Sequence, residues 1–440
     1  MKKYKINQTG GIYPLFSDNI SESYTKNIYE KQSIENKKKF SSYCSDTYPE
    51  LCTIKSDSIG LCKKNKEDCN NPESDSEIPI IDYDLEGIKN VEEEGKKYGY
   101  SYNTLDKYCG KYDKMISYES DLYDKIPNNI TFLTYNIWGL LKNADDPDIY
   151  RTLLDTFKIR MKTILDIIEE NKPDIICFQE VTNEVLEILN KKLIKIYPYS
   201  FEPYFNSKDI KQHRGKNVEC MIFAKYRPKK FNLYNITGSL NYPNTICTIE
   251  FDDLIVINCY LQAGSKHSPG QTNHWYHHAR CRMQELKVLG KIISESKKQN
   301  VIVMGDFNFN IKGNIDEWPE NKILEELGLD DVWSKINKDD PGYTEDTDIN
   351  KMRWNTKFQE KKFRYDGVLI KGKIKPNEIK IVGDKEIEIS KELSDRIKKY
   401  WVPQVEDIES KIKYYNKKEK ILSLCPSDHF GVFCRLEIIE

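Results

Sequence analysis

Polar side chains interrupt several apolar, strand-like segments after residue 130, at positions where core residues would be expected. The segments are ITFLTYN, DIICFQE, VIVMGDFNFN, FRYDG and CPSDHFG. Burying a polar group costs free energy unless it gains a partner, so each interruption marks a candidate functional residue. These residues are Asn136, Gln179, Glu180, Asp306, Asn308, Arg364, Asp366, Asp428 and His429.

The residue types suit the hydrolysis of a phosphate ester. Asp306 and Asn308 stand two residues apart in an extended segment, so both side chains point to one face and can reach one ligand. A carboxylate and an amide aimed together suit a water molecule and a phosphate oxygen. Glu180 is a hard oxygen donor of the kind that binds Mg²⁺. Each feature alone is more typical of a turn or a solvated strand end, and only the set points to chemistry.

The elements that must position these residues are short apolar strands separated by a few amphipathic helices. Many of the strands are apolar on both faces, as expected for sheets that pack on a partner sheet and on helices. The pattern predicts an α/β fold, a four-layer α/β/β/α sandwich spanning residues 127–440. Residues 385–420 are helical in pattern and highly charged, and they are interpreted as a surface insertion.

Residues 1–126 contain few apolar runs and many Lys, Asn, Ser and Glu residues. This low-complexity composition predicts an N-terminal extension with partial disorder. Its five cysteines match no zinc template and have no histidine nearby, which favours ordinary thiols over a small metal or disulfide knot. They are Cys44, Cys52, Cys62, Cys69 and Cys109.

The composition of the 440-residue chain limits its class. It is 38% hydrophobic and 31% charged, with a formal net charge of −2, which excludes a membrane channel, a collagen-like chain and a wholly disordered chain. No apolar run is long enough to span a membrane, and the N-terminus lacks a signal peptide, so an intracellular protein is expected. Cys177, Cys259 and Cys434 lie in apolar strands and are expected to be buried thiols in a reducing compartment.

The near-zero charge gives no global signature of nucleic-acid binding, so any contact with phosphates requires a local basic patch. The tract AKYRPKKF, with Lys225 and Arg227, could follow a nucleic-acid backbone. A solvated turn between two strands explains the tract equally well.

The motifs YNIW, QEV, GDFN, R-x-D and SDH, in this order and spacing, resemble the endonuclease/exonuclease/phosphatase superfamily, which has the deoxyribonuclease I-like fold. The resemblance covers about residues 130–440. Within it, the T-x-D-T segment of Thr344, Asp346 and Thr347 is similar to the 5′-tyrosyl-DNA phosphodiesterase branch. The resemblance implies a Mg²⁺-dependent phosphodiesterase, with Mn²⁺ as a substitute, that acts on DNA ends in DNA repair.

The resemblance also implies roles for the individual residues. The metal ligands would be Glu180 and, as a second contact, Asp428. Asp306 would orient or deprotonate the attacking water. His429, paired with Asp366, would bind the phosphate. Asn136 and Asn308 would support these groups, and the substrate would contact Arg364, Thr344, Lys225 and Arg227.

One position departs from many relatives, which have histidine where NCYLQAG has Tyr260. Apurinic endonucleases of the exonuclease III kind also have tyrosine there. Its hydroxyl could donate a hydrogen bond to the phosphate or the leaving group, and the alternative is a buried strand tyrosine. The histidines of HSPGQTNHWYHHAR are expected to lie on a mobile loop beside the site, with a soft-metal site at His274, His277 and Cys281 as the alternative.

Two other functions remain open at this stage. The same fold could act on inositol phosphates or sphingomyelin, although no membrane-binding segment is visible. An inactive binding scaffold is disfavoured because the candidate catalytic residues are all present. The oligomeric state is open, with a monomer favoured.

Overall fold

The computed structural model describes residues 112–139, 147–201, 219–237, 243–264, 275–350, 361–401 and 424–439. These ranges contain fifteen strands: β1 Tyr112–Glu119, β2 Asn129–Asn136, β3 Ile175–Val181, β4 Tyr199–Phe201, β5 Glu219–Ala224, β6 Lys230–Thr237, β7 Pro243–Glu250, β8 Leu254–Tyr260, β9 Asn300–Asp306, β10 Asp330–Asp331, β11 Glu345–Asp346, β12 Lys362–Phe363, β13 Asp366–Lys371, β14 Ile374–Val382 and β15 Gly431–Ile438. The same ranges contain six helices: α1 Pro147–Asn171, α2 Asn183–Leu193, α3 Trp275–Ser296, α4 Glu320–Glu326, α5 Val332–Ile336 and α6 Lys391–Trp401.

Two large sheets form the centre of the fold. The seven-stranded sheet has the order β1-β6-β7-β8-β9-β13-β10, and the six-stranded sheet has the order β14-β15-β2-β3-β5-β4. The pair β8 and β9 and the pair β2 and β3 are parallel, whereas the other neighbours within these sheets are antiparallel.

The side chains of the strands alternate between two cores. In β2, Phe132 packs in the core between the two sheets, and Leu133 packs in the core beneath α1 and α2. In α1, Phe157, Met161 and Ile164 recur at helical spacing and bury one face against the six-stranded sheet. The helix α3 covers the outer face of the seven-stranded sheet in the same way. This arrangement confirms the four-layer α/β/β/α sandwich.

The seven-stranded sheet includes a strand that precedes residue 127, the predicted start of this domain. Strand β1 pairs antiparallel with β6 over its length, from Tyr112 opposite Ile236 to Glu119 opposite Lys230. It lies at the edge of the seven-stranded sheet, where a strand tolerates polar side chains, and its polar sequence therefore resembled the extension. Residues 1–111, with the five N-terminal cysteines, lie outside the described residues.

The charged segment 385–420 contains helix α6, and residues 402–423 lie outside the described residues. Leu393 and Ile397 of α6 are buried against Leu424, Cys425 and Phe430. This helix is therefore a packed element and not a purely surface insertion.

The expected burial of the three strand cysteines is confirmed, because Cys177, Cys259 and Cys434 are free thiols with no exposed surface. In the ranges that the structure describes, no helix has the length and apolar character needed to span a bilayer.

Candidate active site

The strand pairing brings the candidate residues to one edge of both sheets. In the seven-stranded sheet, Tyr260 at the end of β8 lies beside Asp306 at the end of β9. Asp366 at the start of the antiparallel β13 pairs with Asp306. In the six-stranded sheet, Asn136 at the end of β2 lies beside Gln179 of β3. Side chains from two sheets can therefore meet at this edge.

Asn136 connects the two sheets. Its side chain is fully buried, and Nδ2 donates to Glu180 Oε1 at 3.2 Å and to Asp306 Oδ2 at 2.9 Å. Its Oδ1 accepts a hydrogen bond from the backbone N–H of Trp138 at 3.1 Å. A strand-end amide that donates to two carboxylates holds them at a fixed separation.

Gln179 forms a second connection between the sheets, below the site. Its Nε2 donates to Asn258 Oδ1 of β8 at 2.7 Å and to Thr134 Oγ1 at 3.0 Å. Asn258 in turn donates to the backbone oxygens of Phe178 and Met221. This buried network fixes the relative position of β3 and β8.

Asp306 and Asn308 lie in a tight turn and not in an extended segment. Asn308 has a positive φ of 55°, a conformation that asparagine tolerates better than most residues. Its backbone N–H donates to Asp306 Oδ1 at 2.8 Å, and its Nδ2 donates to Leu261 O at 2.9 Å. The two side chains meet as expected, although by a different backbone path. Gly305 is required before them, because a Cβ there would lie 1.9 Å from the backbone oxygen of Cys259.

His429 is held by two carboxylates. Its Nδ1 lies 2.8 Å from Asp366 Oδ2, and its Nε2 lies 3.9 Å from Asp306 Oδ2. Burial lowers the pKa of His429, but the charges of Asp366 and Asp306 raise it by more, so the net pKa lies well above the ordinary value. A charged imidazolium beside Asp306 suits an anionic substrate.

Glu180 has a strained backbone and a partly buried carboxylate. Its φ is +57°, within a bulge between Phe178 and Val181. Burial and the nearby Asp428 carboxylate raise the pKa of Glu180. Tyr260 Oη donates to Glu180 Oε1 at 3.0 Å, and burial together with the Glu180 charge raises the pKa of Tyr260 well above its ordinary value. The tyrosine therefore contacts the site and is not a remote strand residue.

Ser427 links the loop of Asp428 and His429 to β2. Its hydroxyl donates to Asn136 O at 2.7 Å, and it lies 3.3 Å from Asp428 Oδ1. The Asn350 amide holds the backbone oxygen of Ser427 at 2.7 Å. The loop before β15 is therefore tied directly to the strand that carries Asn136.

Arg160 of α1 is a functional candidate that sequence reasoning missed. Its Nη2 donates to the backbone oxygens of Ile137 and Trp138, and its Nε donates to Pro426 O, at 2.7 to 2.8 Å. Burial lowers its pKa to about 10, which leaves it charged at neutral pH. The available signal was an arginine on the apolar face of a helix, three residues after Phe157.

The residues fit a hard divalent cation. The carboxylate and amide oxygens at this edge are donors of the kind that Mg²⁺ prefers in proteins. Among the described residues, hydrogen bonds to the Glu180 carboxylate engage only Oε1, and the buried Oδ1 of Asp366 has no hydrogen-bond partner. Ligand atoms of Asp306, Asp366 and His429 lie within 4.8 Å of one another.

Residues 133–359 match the model of the Endonuclease/Exonuclease/phosphatase family. The chain belongs to this family. The superfamily resemblance found in the motifs is thereby confirmed, and members of this superfamily generally hydrolyse phosphoester bonds. No protein of curated function matches the chain in sequence.

Several solved structures are similar to the chain. TDP2 of D. rerio, complexed with single strand DNA product, is 16% identical over 70% of this chain and 99% of its own, with a TM-score of 0.45. Truncated TDP2 of Caenorhabditis elegans is 18% identical over 70% of this chain and 97% of its own, with a TM-score of 0.44. An endonuclease/exonuclease/phosphatase from Bacteroides vulgatus is 13% identical over 71% of this chain and 99% of its own, with a TM-score of 0.44.

Two residues expected to bind substrate in this family site have structural roles. The Arg364 guanidinium is buried and forms a two-point ion pair with Asp331, with N–O distances of 3.0 and 2.8 Å. The Thr344 hydroxyl accepts hydrogen bonds from the backbone N–H groups of Tyr365 and Asp366, both at 3.0 Å. In this structure their polar groups position β13, and their contact with a substrate stays a prediction.

Lys225 and Arg227 lie at the opposite end of the six-stranded sheet. They follow Ala224, which pairs with Ile175 at the start of β3, and Glu180 is five residues farther along that strand, about 17 Å away. Lys225 pairs with Asp174 at 3.1 Å, and Arg227 Nε donates to Tyr199 Oη at 3.2 Å. The structure does not bring this tract to the candidate site, and its contact with a nucleic-acid backbone stays a prediction.

The histidine-rich segment remains largely untested. His267 and His274 and the side chain of His277 lie outside the described residues, and so does the predicted soft-metal site. His278 and Cys281 are buried in α3.

Proposed function

We propose that this chain is a Mg²⁺-dependent phosphodiesterase that hydrolyses phosphodiester bonds by direct attack of water at DNA ends, including 5′-phosphotyrosyl adducts. The observation that carries the proposal is the continuous contact of Glu180, Asn136, Asp306, His429 and Asp366 across the edges of both sheets. These contacts join three groups of different use. The Glu180 carboxylate suits a metal cation, the Asp306 carboxylate suits a water molecule, and the charged His429 ring suits a phosphate.

The metal site of this proposal consists of Glu180 with Asp428 as a second contact. When bound, Mg²⁺ polarises the phosphate and neutralises the charge that develops on it, and Mn²⁺ could substitute. Asn136 and Tyr260 both donate to Glu180 Oε1 and so orient the carboxylate. A cation held near Glu180 and Asp428 also offsets the repulsion between these two carboxylates.

Asp306 is the proposed base for the attacking water. Burial raises the pKa of Asp306 above its ordinary value, which makes its ionised form a stronger base than an ordinary aspartate. The amide of Asn136 and the backbone N–H of Asn308 orient the two carboxylate oxygens. The side chain of Asn308 is close enough to Asp306, at 3.3 Å, to hold the same water or a phosphoryl oxygen.

His429 is the proposed phosphate ligand. Asp366 accepts from Nδ1, which fixes the ring orientation and leaves Nε2 as the donor toward the substrate. Tyr260 has one hydroxyl hydrogen, which it donates to Glu180 in this structure. We therefore assign Tyr260 first as a positioning residue for Glu180, and transfer of that hydrogen bond to the leaving group would require a change of partner.

The substrate class rests on the T-x-D-T segment of Thr344, Asp346 and Thr347, which resembles the tyrosyl-DNA phosphodiesterase branch. The test is a panel with Mg²⁺ that contains a 5′-phosphotyrosyl oligonucleotide, an abasic duplex, a plain single strand, inositol phosphates and sphingomyelin. Fastest cleavage of the phosphotyrosyl substrate supports the proposal. Preference for an inositol phosphate or sphingomyelin would replace it with another reaction of the same fold, and inactivity on all five, with a folded protein, would favour a scaffold.

A further inference from the structure

The segment Leu261–Gly264 leaves strand β8 directly after Tyr260 and touches the catalytic turn. The backbone N–H of Leu261 donates to Asp306 O at 3.0 Å. The backbone oxygen of Leu261 accepts from Asn308 Nδ2 at 2.9 Å. One peptide segment therefore fixes both the main chain of Asp306 and the side-chain amide of Asn308.

The other side of this segment is held by two charged residues of helix α3. Glu285 Oε2 accepts from the backbone N–H of Gln262 at 2.8 Å, and Arg282 Nη1 donates to the backbone oxygen of Gln262 at 2.9 Å. Arg282 Nη1 also donates to Gly264 O at 2.6 Å. Residues three apart in a helix lie on the same face, so this pair can reach both polar groups of one residue.

Both charged residues are in turn fixed by further buried partners. Arg282 contacts Glu320 Oε1 of α4 at 2.7 and 2.8 Å, and Glu285 Oε1 accepts from Asn244 of β7 at 2.5 Å. Arg282, Glu285 and Glu320 have at most 1% of their surface exposed. Burying ionic groups is costly, and an apolar contact would hold a helix on a sheet equally well. Their concentration at the exit of a catalytic strand indicates that they determine geometry.

We propose that Glu285 and Arg282 are positioning residues that fix Leu261–Gly264. Through this segment they fix the side-chain amide of Asn308 beside Asp306. The proposal deepens the proposed function, on which its kinetic consequence rests. Its structural consequence is a weaker hydrogen bond from the backbone N–H of Asn308 to Asp306 Oδ1. Exchange of this N–H can be measured without any substrate.

The first test is amide hydrogen exchange of the Glu285→Gln variant, read by mass spectrometry at single-residue resolution. Glutamine has one acceptor oxygen for two donors, Gln262 N–H and the Asn244 amide, so one hydrogen bond is lost without a change of volume. We expect exchange at Gln262 and at Asn308 to rise about 10-fold relative to Phe307, the value for loss of one hydrogen bond. The Phe307 amide is bonded to Tyr365 O and serves as the internal reference.

The matched control is Leu289→Ala, which lies one turn farther along α3 and is buried in the apolar core. It should lower the melting temperature while changing exchange at Asn308 and Phe307 by the same factor. An equal factor for these two amides in Glu285→Gln as well would overturn the proposal. Should Glu285→Gln not fold, Arg282→Lys decides instead, because lysine keeps the charge but cannot contact Gln262, Gly264 and Glu320 together.

The second test is a double-mutant cycle with a chromogenic phosphodiester in the presence of Mg²⁺. We expect Glu285→Gln to lower kcat about 5-fold with little change in KM, and to have almost no further effect in an Asn308→Ala background. An equal loss in both backgrounds would show that Glu285 does not act through Asn308. Absence of wild-type turnover would refute the proposed function, and the exchange measurement would then still decide this proposal.

Discussion

Arg160 joins the two loops that carry opposite halves of the site, and its replacement by methionine is the sharpest test of how the site is held. The guanidinium donates to Ile137 O and Trp138 O after strand β2 and to Pro426 O before Asp428. It also lies over the Trp138 ring, 4.8 Å from the centroid. Methionine fills most of the volume and supplies none of these polar contacts.

The expected loss of stability follows from these contacts. A hydrogen bond from a charged group contributes about 1.5 to 3 kcal/mol, and a partly buried cation–π contact contributes about 0.5 to 2 kcal/mol. The three bonds share one side chain, and methionine keeps part of the packing, so the contributions do not add fully. We expect Arg160→Met to lower the free energy of unfolding by about 3 to 5 kcal/mol, because three backbone carbonyl oxygens lose their donor and a buried acceptor left unpaired costs about 1 to 3 kcal/mol.

The assay is equilibrium unfolding in urea, with Arg396→Met as the matched control. Arg396 of α6 pairs with Asp155, also on α1, but the two side chains are 26% and 35% exposed, so the same substitution should cost about 1 kcal/mol or less. Arg160→Met should also lose more activity than the control at equal folded fraction. Equal costs for the two variants would refute the assignment of Arg160 as the link between the loops.

Three further predictions concern catalysis, pH and the domain boundary. Asp306→Asn, like Glu180→Gln, should lower kcat by at least about 100-fold with an unchanged circular dichroism spectrum, and near-wild-type turnover in the purified variant would contradict its role. Burial raises the pKa of Glu285 from 4.5 to about 7, so the folded state favours its protonated form. As pH rises from about 4 to about 8, the free energy of unfolding of the wild type should therefore fall by about 3 kcal/mol relative to that of Glu285→Gln. A difference between the two proteins that does not change with pH would exclude this shift. A shortened chain that begins at Asn128 lacks β1 and should melt at a lower temperature than one that begins at residue 112, whereas equal melting temperatures would show that β1 adds no stability.

Much of the site could be predicted from the sequence because its residues lie at the ends of apolar strands. Asn136 and Asp306 stand where a short run of core residues stops, Asp366 stands where one begins, and local sequence is enough to show both. The four layers were likewise visible, since strands apolar on both faces must be covered on both sides. These inferences depend only on the neighbours of each residue along the chain.

The positions that local sequence could not show depend on contacts between distant parts of the chain. Arg364 precedes a strand-start aspartate and could face a phosphate, but its partner is Asp331, 33 residues earlier. Lys225 forms a plausible basic tract, but β5 runs antiparallel to β3 and therefore ends at the edge away from Glu180. Arg160 was missed for the same reason, because its acceptors come from two loops that are 289 residues apart at Ile137 and Pro426.

The backbone of the site is strained in a way that explains why it needs this support. Among the described residues, six non-glycine residues have positive φ, and three of them lie in the site: Trp138 at 43°, Glu180 at 57° and Asn308 at 55°. Two of the others, Lys172 and Lys297, directly follow helices α1 and α3, where a left-handed residue commonly ends a helix.

No helix ends at Trp138, Glu180 or Asn308, so their conformations persist only because surrounding contacts enforce them. Each of the three residues has its own contact. The Gly139 N–H donates to Glu180 O at 2.9 Å, and a Cβ on Gly139 would lie 2.3 Å from that oxygen. Arg160 Nη2 donates to the backbone oxygen of Trp138, and the backbone oxygen of Leu261 accepts from the side-chain amide of Asn308. Each strained residue is thus fixed by a partner that performs no chemistry, and loosening any of these partners should reduce turnover before it unfolds the sandwich.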